Sequence, residues 1–306
     1  MEPPLIAQGV RKRYGDTQAL DGFDLEVGAG TVHALLGPNG AGKSTAVHSF
    51  ATLTRYDAGE VRVAGHDVRR AGAAVRRSIG LVGQTPALDE VLFGRENLVL
   101  LGRLHAMSAR EAGRRADELL ASYGLTEAGG RKVATYSGGM RRRLDIAASL
   151  IRRPRLLFLD EPTTGLDPRG RNEVWAAVRQ VVAEGTTVLL TTQYLDEADQ
   201  LADRITVMGA GRVIAEGTSA ELKDRLGGDR VIVTAAGVDV VAGALGAPAD
   251  PDTGQVVVEA GPDGGTAALL RVVRALDAAG LEVDDVQLRR PTLDEVFLHL
   301  TEGISR

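Results

Sequence analysis

The octapeptide Gly37-Pro38-Asn39-Gly40-Ala41-Gly42-Lys43-Ser44 constrains this chain more than any other segment, because it fits the pattern G-x-x-x-x-G-K-[ST] and lies between elements of the right kind. Ahead of it, Val32 to Leu36 is a short apolar run of strand character. Behind it, Ser44 to Phe50, with Thr45 in the first turn, reads as a helix. Strand, glycine-rich loop and helix in that order make a phosphate cradle. The glycines let backbone N–H groups turn toward the β- and γ-phosphates, the helix N-terminus adds the positive end of its dipole, and Lys43 supplies a point charge. The Ser44 hydroxyl is placed to ligate Mg²⁺, so ATP and Mg²⁺ are the expected ligands.

A second acidic element, Asp160-Glu161, ends the apolar strand Leu156 to Leu159. A strand tip beside the phosphate loop sets Asp160 near Mg²⁺ and leaves Glu161 free to orient and deprotonate an attacking water. An isolated Asp-Glu pair is usually a solvated turn; its pairing with the loop gives it this chemical reading.

Further strands are expected at Leu5 to Val10, Phe23 to Val27, Val61 to Val63, Ile79 to Val82, Thr187 to Thr191, Ile205 to Val207 and Arg212 to Ile214, with a helix from Arg171 to Ala183. Strands alternating with helices imply a largely parallel sheet. From about 88 to 135 the period changes: Leu98, Leu101, Leu104, Leu119 and Leu120 form apolar faces among Arg and Glu, the mark of a helical insertion. After Leu226, Gly227-Gly228-Asp229 reads as a linker. Beyond it, strands at Val231 to Thr234, Val256 to Glu259 and Leu281 to Gln287, and a helix from Thr266 to Ala279, predict a small α+β domain. The chain thus reads as a main domain over 1–226 and an accessory domain over 229–306.

The 306 residues suffice for that two-part plan. With 36 basic against 41 acidic residues and a net charge of −5, no nucleic-acid partner is expected. There are no cysteines, which excludes disulfides and thiolate metal sites. The N-terminus carries no secretory pattern, and no apolar run approaches the roughly 20 residues that cross a bilayer, so any membrane role is expected to come through a partner.

Between the loop and Asp160-Glu161 lies Tyr136-Ser137-Gly138-Gly139-Met140, followed by Arg141-Arg142-Arg143-Leu144. With these residues in this order, the chain resembles the ATP-binding subunits of ABC transporters from about Leu5 to Gly217. The resemblance implies an α/β fold, a P-loop NTPase of ABC type: a mixed β-sheet core with a β-rich N-terminal subdomain and a helical subdomain. It implies that Ser137, Gly138 and Gly139 open a helix facing the γ-phosphate held by a second copy, Tyr14 stacks on adenine, Gln84 contacts Mg²⁺ and links to the helical insertion, and Gly165-Leu166-Asp167 forms an intersubunit turn. It further implies a head-to-tail homodimer on ATP and an integral membrane permease subunit docked on the helical insertion, placing the chain at the cytoplasmic face of the cell membrane.

One position departs from the family pattern. Where most members carry histidine, this chain reads Thr191-Thr192-Gln193-Tyr194. Glutamine can donate a hydrogen bond to a phosphate oxygen and cannot take up a proton near neutral pH. Glu161 is therefore expected to be the base and Gln193 a neutral γ-phosphate sensor. The signature itself, the stretch Thr191 to Arg204 and the tail Pro291 to Leu298 are similar to the antibiotic-exporting group typified by daunorubicin- and doxorubicin-resistance ATPases. The tail also reads as an amphipathic helix with Leu293, Val296, Phe297 and Leu300 on one face. Arg141 to Arg143 is read as a solvated helix face near the nucleotide. The competing reading, a soluble ABC ATPase acting on a non-transport partner, usually brings a second cassette or a long coiled coil, and the sequence has neither.

Overall fold

The computed structural model describes residues 2–85, 87–224, 229–261, 264–289 and 292–302, without the side chains of 298–302. The expected linker at Gly227-Gly228, and in the tail Pro291 with the side chains of Leu298 and Leu300, lie outside the described residues. The chain divides into two compact units, Met1–Glu216 and Gly217–Arg306.

In the first unit the chain runs β1 (Leu5–Tyr14), β2 (Thr17–Val27), β3 (Val32–Leu36), α1 (Lys43–Phe50), β4 (Ala58–Val63), β5 (His66–Asp67), α2 (Gly72–Ser78), β6 (Ile79–Val82), α3 (Gly94–Leu104) and α4 (Ala109–Ser122). It continues through α5 (Gly138–Ser149), β7 (Leu156–Asp160), α6 (Pro168–Ala183), β8 (Thr187–Thr192), α7 (Leu195–Leu201), β9 (Arg204–Gly209) and β10 (Arg212–Gly217). Two sheets result. One, ordered β2-β1-β4-β5, is antiparallel. The other is ordered β10-β9-β3-β8-β7-β6, and its pairs from β9 through β6 are parallel.

Strands β3, β7 and β8 are buried at every residue, which is why they read as unbroken apolar runs without alternation. Phe23, Phe50 and Phe158 form an aromatic ladder between the sheets, with ring centroids 6.3 and 6.5 Å apart. The opposite face of the parallel sheet packs against α5 and α6, and Leu98, Leu119 and Leu120 of the helical insertion belong to that same core.

The second unit holds α8 (Ser219–Asp224), β11 (Arg230–Thr234), α9 (Val238–Leu245), β12 (Ala249–Asp250), β13 (Gln255–Glu259), α10 (Gly265–Ala279), β14 (Asp285–Arg289) and α11 (Leu293–Glu302). Its sheet is antiparallel in the order β12-β13-β11-β14, and Val231, Val233 and Val256 pack against Val241, Ala268, Val272 and Leu276 of α9 and α10. The strand expected from Leu281 to Gln287 begins instead at Asp285. Gly280 closes α10 in the left-handed conformation, and Leu281 and Val283 serve the core from the connection that follows. In the tail helix, Leu293 and Val296 are buried.

Among the described residues, no helix is long and apolar enough to cross a membrane.

Candidate nucleotide site

Parallel strands place all their C-terminal ends on one edge of the sheet, and that edge is where such folds gather ligand-binding loops. Here the register sets Leu36 opposite Thr192, Asp160 opposite Thr191 and Val82 opposite Leu159. The phosphate loop after β3, Gln193 after β8, Glu161 after β7 and Gln84 after β6 therefore leave four adjacent strands at the same level. The Gly37 N–H extends the ladder by donating to the Thr192 carbonyl at 3.2 Å.

Two glycines of the loop are steric requirements. A Cβ on Gly37 would stand 2.5 Å from the Met208 carbonyl oxygen. At Gly42, with φ of +103°, it would stand 2.3 Å from that of Ala19. Gly42 is also the residue from which α1 starts, directing the first N–H groups of the helix into the loop.

Lys43 is buried, and its ammonium donates to the carbonyls of Gly37 at 2.9 Å and Pro38 at 3.0 Å, with Glu161 Oε1 3.5 Å away. Burial pulls the Lys43 pKa below the ordinary lysine value, and the charges of Glu161 and Asp160 oppose that pull. The Ser44 hydroxyl donates to Asp160 Oδ1 at 3.0 Å, and Thr191 Oγ1 donates to the same oxygen at 2.5 Å. A hydroxyl and a carboxylate in contact are hard oxygen donors of the kind Mg²⁺ takes alongside phosphate oxygens, so the residues present fit that ion.

Glu161 has a positive φ of 48°, unusual for a residue with a side chain. Its N–H donates to Thr191 O and Oγ1, both at 3.1 Å, which holds the bend. Glu161 lines a cavity with Gln84, Gly138, Arg141, Arg142, Pro162, Thr164 and Leu166.

Ser137 caps α5 by accepting from the Met140 N–H at 3.2 Å, and Asp167 caps α6 by accepting from the Gly170 N–H at 2.8 Å. Ser137, Gly138 and Gly139 line a second cavity with Gly165, Leu166 and Asp167.

The structure thus joins Lys43, Ser44, Asp160 and Glu161 directly, and sets Gln84 and Gly138 around one cavity with Glu161. Gln193 is half-buried at the end of β8, beside Thr192. Tyr14 stands apart on the antiparallel sheet, 48% exposed, with the Lys12 ammonium 4.9 Å above its ring.

The reading of Arg141 to Arg143 as a solvated face is corrected. Arg142 is 7% exposed and reaches the backbone behind Asp160 and Glu161. Arg141 pairs with Glu90 at 3.0 Å and Arg143 with Glu173 at 3.1 Å. The face of α5 that buries Gly139 also carries 142 and 145, one and two helical turns on. Thr191, opposite Asp160 in the ladder, is a further residue of the site; it lies within the stretch from Thr191 to Tyr194, where only Gln193 was expected to have a role.

A phosphate loop at the edge of a parallel sheet, an Asp-Glu strand tip beside it and a helical subdomain followed by a Ser-Gly-Gly helix define an ATPase of the ATP-binding-cassette class. Residues 20–164 match the family model described as ABC transporter. The chain is 60% identical to the daunorubicin resistance ATP-binding protein DrrA3 of Streptomyces coeruleorubidus, across 97% of this chain and 95% of that protein. It is 51% identical to the daunorubicin/doxorubicin resistance ATP-binding protein DrrA of Streptomyces peucetius, across 96% of this chain and 91% of that one. Among solved structures it resembles the dimeric post-hydrolysis cassette MJ0796 bound to ADP and Pi, with a TM-score of 0.63 and 27% identity over 70% of this chain and 98% of that one. The chain belongs to the ATP-binding subunits of the ABC transporter family, and it is an ATPase whose hydrolysis is coupled to transport.

Proposed function

We propose that this chain is the motor subunit of an exporter that moves a hydrophobic drug or antibiotic through a separate integral membrane permease, at the cytoplasmic face of the cell membrane. The observation that carries the chemistry is the meeting of Lys43, Ser44, Asp160 and Glu161 at adjacent strand ends. The kind of cargo is supported by identity to two drug-resistance subunits that runs nearly end to end.

In this reading the loop N–H groups and Lys43 cradle the phosphates of ATP, and Tyr14 packs on adenine. Ser44, Asp160 and Gln84 would hold Mg²⁺, which would supply charge neutralisation at the phosphates. Glu161 orients the attacking water and accepts its proton, while Gln193 donates a hydrogen bond to the γ-phosphate without titrating. Ser137, Gly138 and Gly139 present a helix N-terminus to the γ-phosphate held by a second copy, whose dipole and N–H groups suit an anion. Two copies then close head to tail on two ATP molecules, and hydrolysis reopens them. The dimeric relative bound to ADP and Pi supports that assembly.

The deciding experiment is co-expression with a candidate integral membrane permease, followed by vesicle ATPase assays against hydrophobic drugs. Stimulation by such a compound, only with the membrane subunit present, is the expected result. ATPase activity indifferent to every drug and to the membrane subunit would count against export.

A further inference from the structure

The buried pair formed by Arg142 and Asp145 lies behind the proposed site and contacts two of its segments at once. The planar guanidinium has five N–H groups in a fixed fork. In this structure five acceptors meet them. Nε donates to the Pro162 carbonyl at 2.8 Å. Nη1 donates to the Gly83 carbonyl at 2.7 Å and Asp145 Oδ2 at 3.4 Å, and Nη2 to the carbonyls of Asp160 at 3.2 Å and Glu161 at 3.3 Å. Asp145, itself 4% exposed, also accepts from the Ala87 N–H.

Gly83 and Ala87 bracket Gln84 and Thr85. One helical turn of α5 therefore holds the Gln84 segment at both flanks and, through the same guanidinium, the backbone of Asp160, Glu161 and Pro162. The Glu161 backbone is in the left-handed conformation that a non-glycine residue adopts at a cost, so it persists only where surrounding contacts fix it. Arg142 fixes its carbonyl from one side while Thr191 fixes its N–H from the other.

We infer that Arg142 and Asp145 are positioning residues for hydrolysis: they couple the placement of the Gln84 segment to that of the Asp160-Glu161 carboxylates, so that the two are set together by the helix that begins at Ser137. The inference rests on the proposed roles of Glu161 and Gln84. It assigns to the Ser-Gly-Gly helix a duty toward its own chain's site, in addition to the one proposed toward a partner's phosphate.

The geometry distinguishes the two residues. Lysine at 142 has three donors and no fork, so Arg142→Lys keeps part of the set, and Arg142→Gln keeps less. Asp145→Ala frees the Ala87 flank and leaves the bonds to Asp160, Glu161 and Pro162 in place. None of these changes touches the phosphate loop.

The test uses the purified full-length chain at concentrations that allow self-association, with steady-state ATP hydrolysis, fluorescent-nucleotide binding and hydrogen exchange of backbone amides. A misplacement of about 1 Å costs on the order of 10²-fold in rate. Arg142→Gln is therefore expected to lower kcat by about that factor with KM and nucleotide affinity within about twofold, and Arg142→Lys to fall between it and wild type. Exchange should rise at 83–85 and 160–161 together in Arg142→Gln, and at 83–85 and 87 alone in Asp145→Ala, which should lose less in kcat. An Arg142→Gln protein with wild-type kcat overturns the inference. So does a loss of kcat, affinity and melting temperature in parallel, unrelieved by lysine, or an Asp145→Ala protein with unchanged exchange at 83–85 and 87. Glu161→Gln, measured beside them, separates the two ideas: if it hydrolyses ATP normally, the assigned base is wrong, and the exchange data still decide whether the two segments are held together.

Discussion

The Lys43 ammonium stands 3.5 Å from Glu161 Oε1, so the cation of the phosphate loop and the carboxylate at the tip of β7 form a largely buried ion pair. Each is the other's charge partner where both are shielded from water. Removing one strands the other, which is costlier than the net worth of the pair. A bound γ-phosphate would compete with Glu161 for Lys43 and release that carboxylate for a water molecule.

Lys43→Ala is accordingly expected to weaken ATP binding roughly 10- to 100-fold, the range of one or two charge-assisted hydrogen bonds. Lys43→Arg should restore little, because a forked guanidinium replaces a compact ammonium that donates to the Gly37 and Pro38 carbonyls. Titration with a fluorescent ATP analogue checks both variants.

Ser44 and Asp160 share a hydrogen bond and are the oxygens assigned to Mg²⁺. Chelating Mg²⁺ with EDTA is expected to lower wild-type affinity for ATP on the order of 10-fold or more, and Ser44→Ala to lower affinity in Mg²⁺ while being nearly indifferent to EDTA. Equal sensitivity to EDTA in both proteins would remove Ser44 from the metal site.

Inside the parallel sheet, His33 is buried with Nε2 2.8 Å from Thr206 Oγ1, and burial lowers its pKa from 6.5 to about 4. The folded state thus resists a proton that the unfolded chain accepts, so this contribution to stability is complete above pH 6.5 and is lost as pH falls toward about 4. Asp145 acts in the opposite sense, since burial raises its pKa to about 6 and favours the folded state as it protonates below that. Comparing wild type with His33→Gln by urea unfolding isolates the histidine. The wild-type stability relative to the variant should fall by about 2–3 kcal/mol between pH 7.5 and 4.5.

The phosphate loop was legible because its chemistry is backbone chemistry: Gly37 and Gly42 sit where a Cβ would collide with a carbonyl, and that demand is written into residue type. The strands β3, β7 and β8 were legible because burial on both faces leaves continuous apolar runs. Arg142 was not, since arginine in a basic run satisfies a solvated surface equally well, and only packing of α5 against the ends of β6 and β7 decides that its fork points inward. The short helix Leu195–Leu201 is not legible for a similar reason. It is mostly polar, and Glu197, which would suggest an exposed turn, is buried and accepts from the Trp175 indole N–H at 3.2 Å.

Whether Glu161 activates the water at a site completed by a second copy is tested most directly by Glu161→Gln, because glutamine keeps the size and an acceptor while removing the base. In single-turnover hydrolysis, with dimer formation followed by size-exclusion chromatography in ATP, the variant is expected to bind ATP at least as well as wild type, accumulate as a dimer, and hydrolyse on the order of 10²–10⁴-fold more slowly. Hydrolysis at the wild-type rate, or a variant that stays monomeric in saturating ATP, would contradict it.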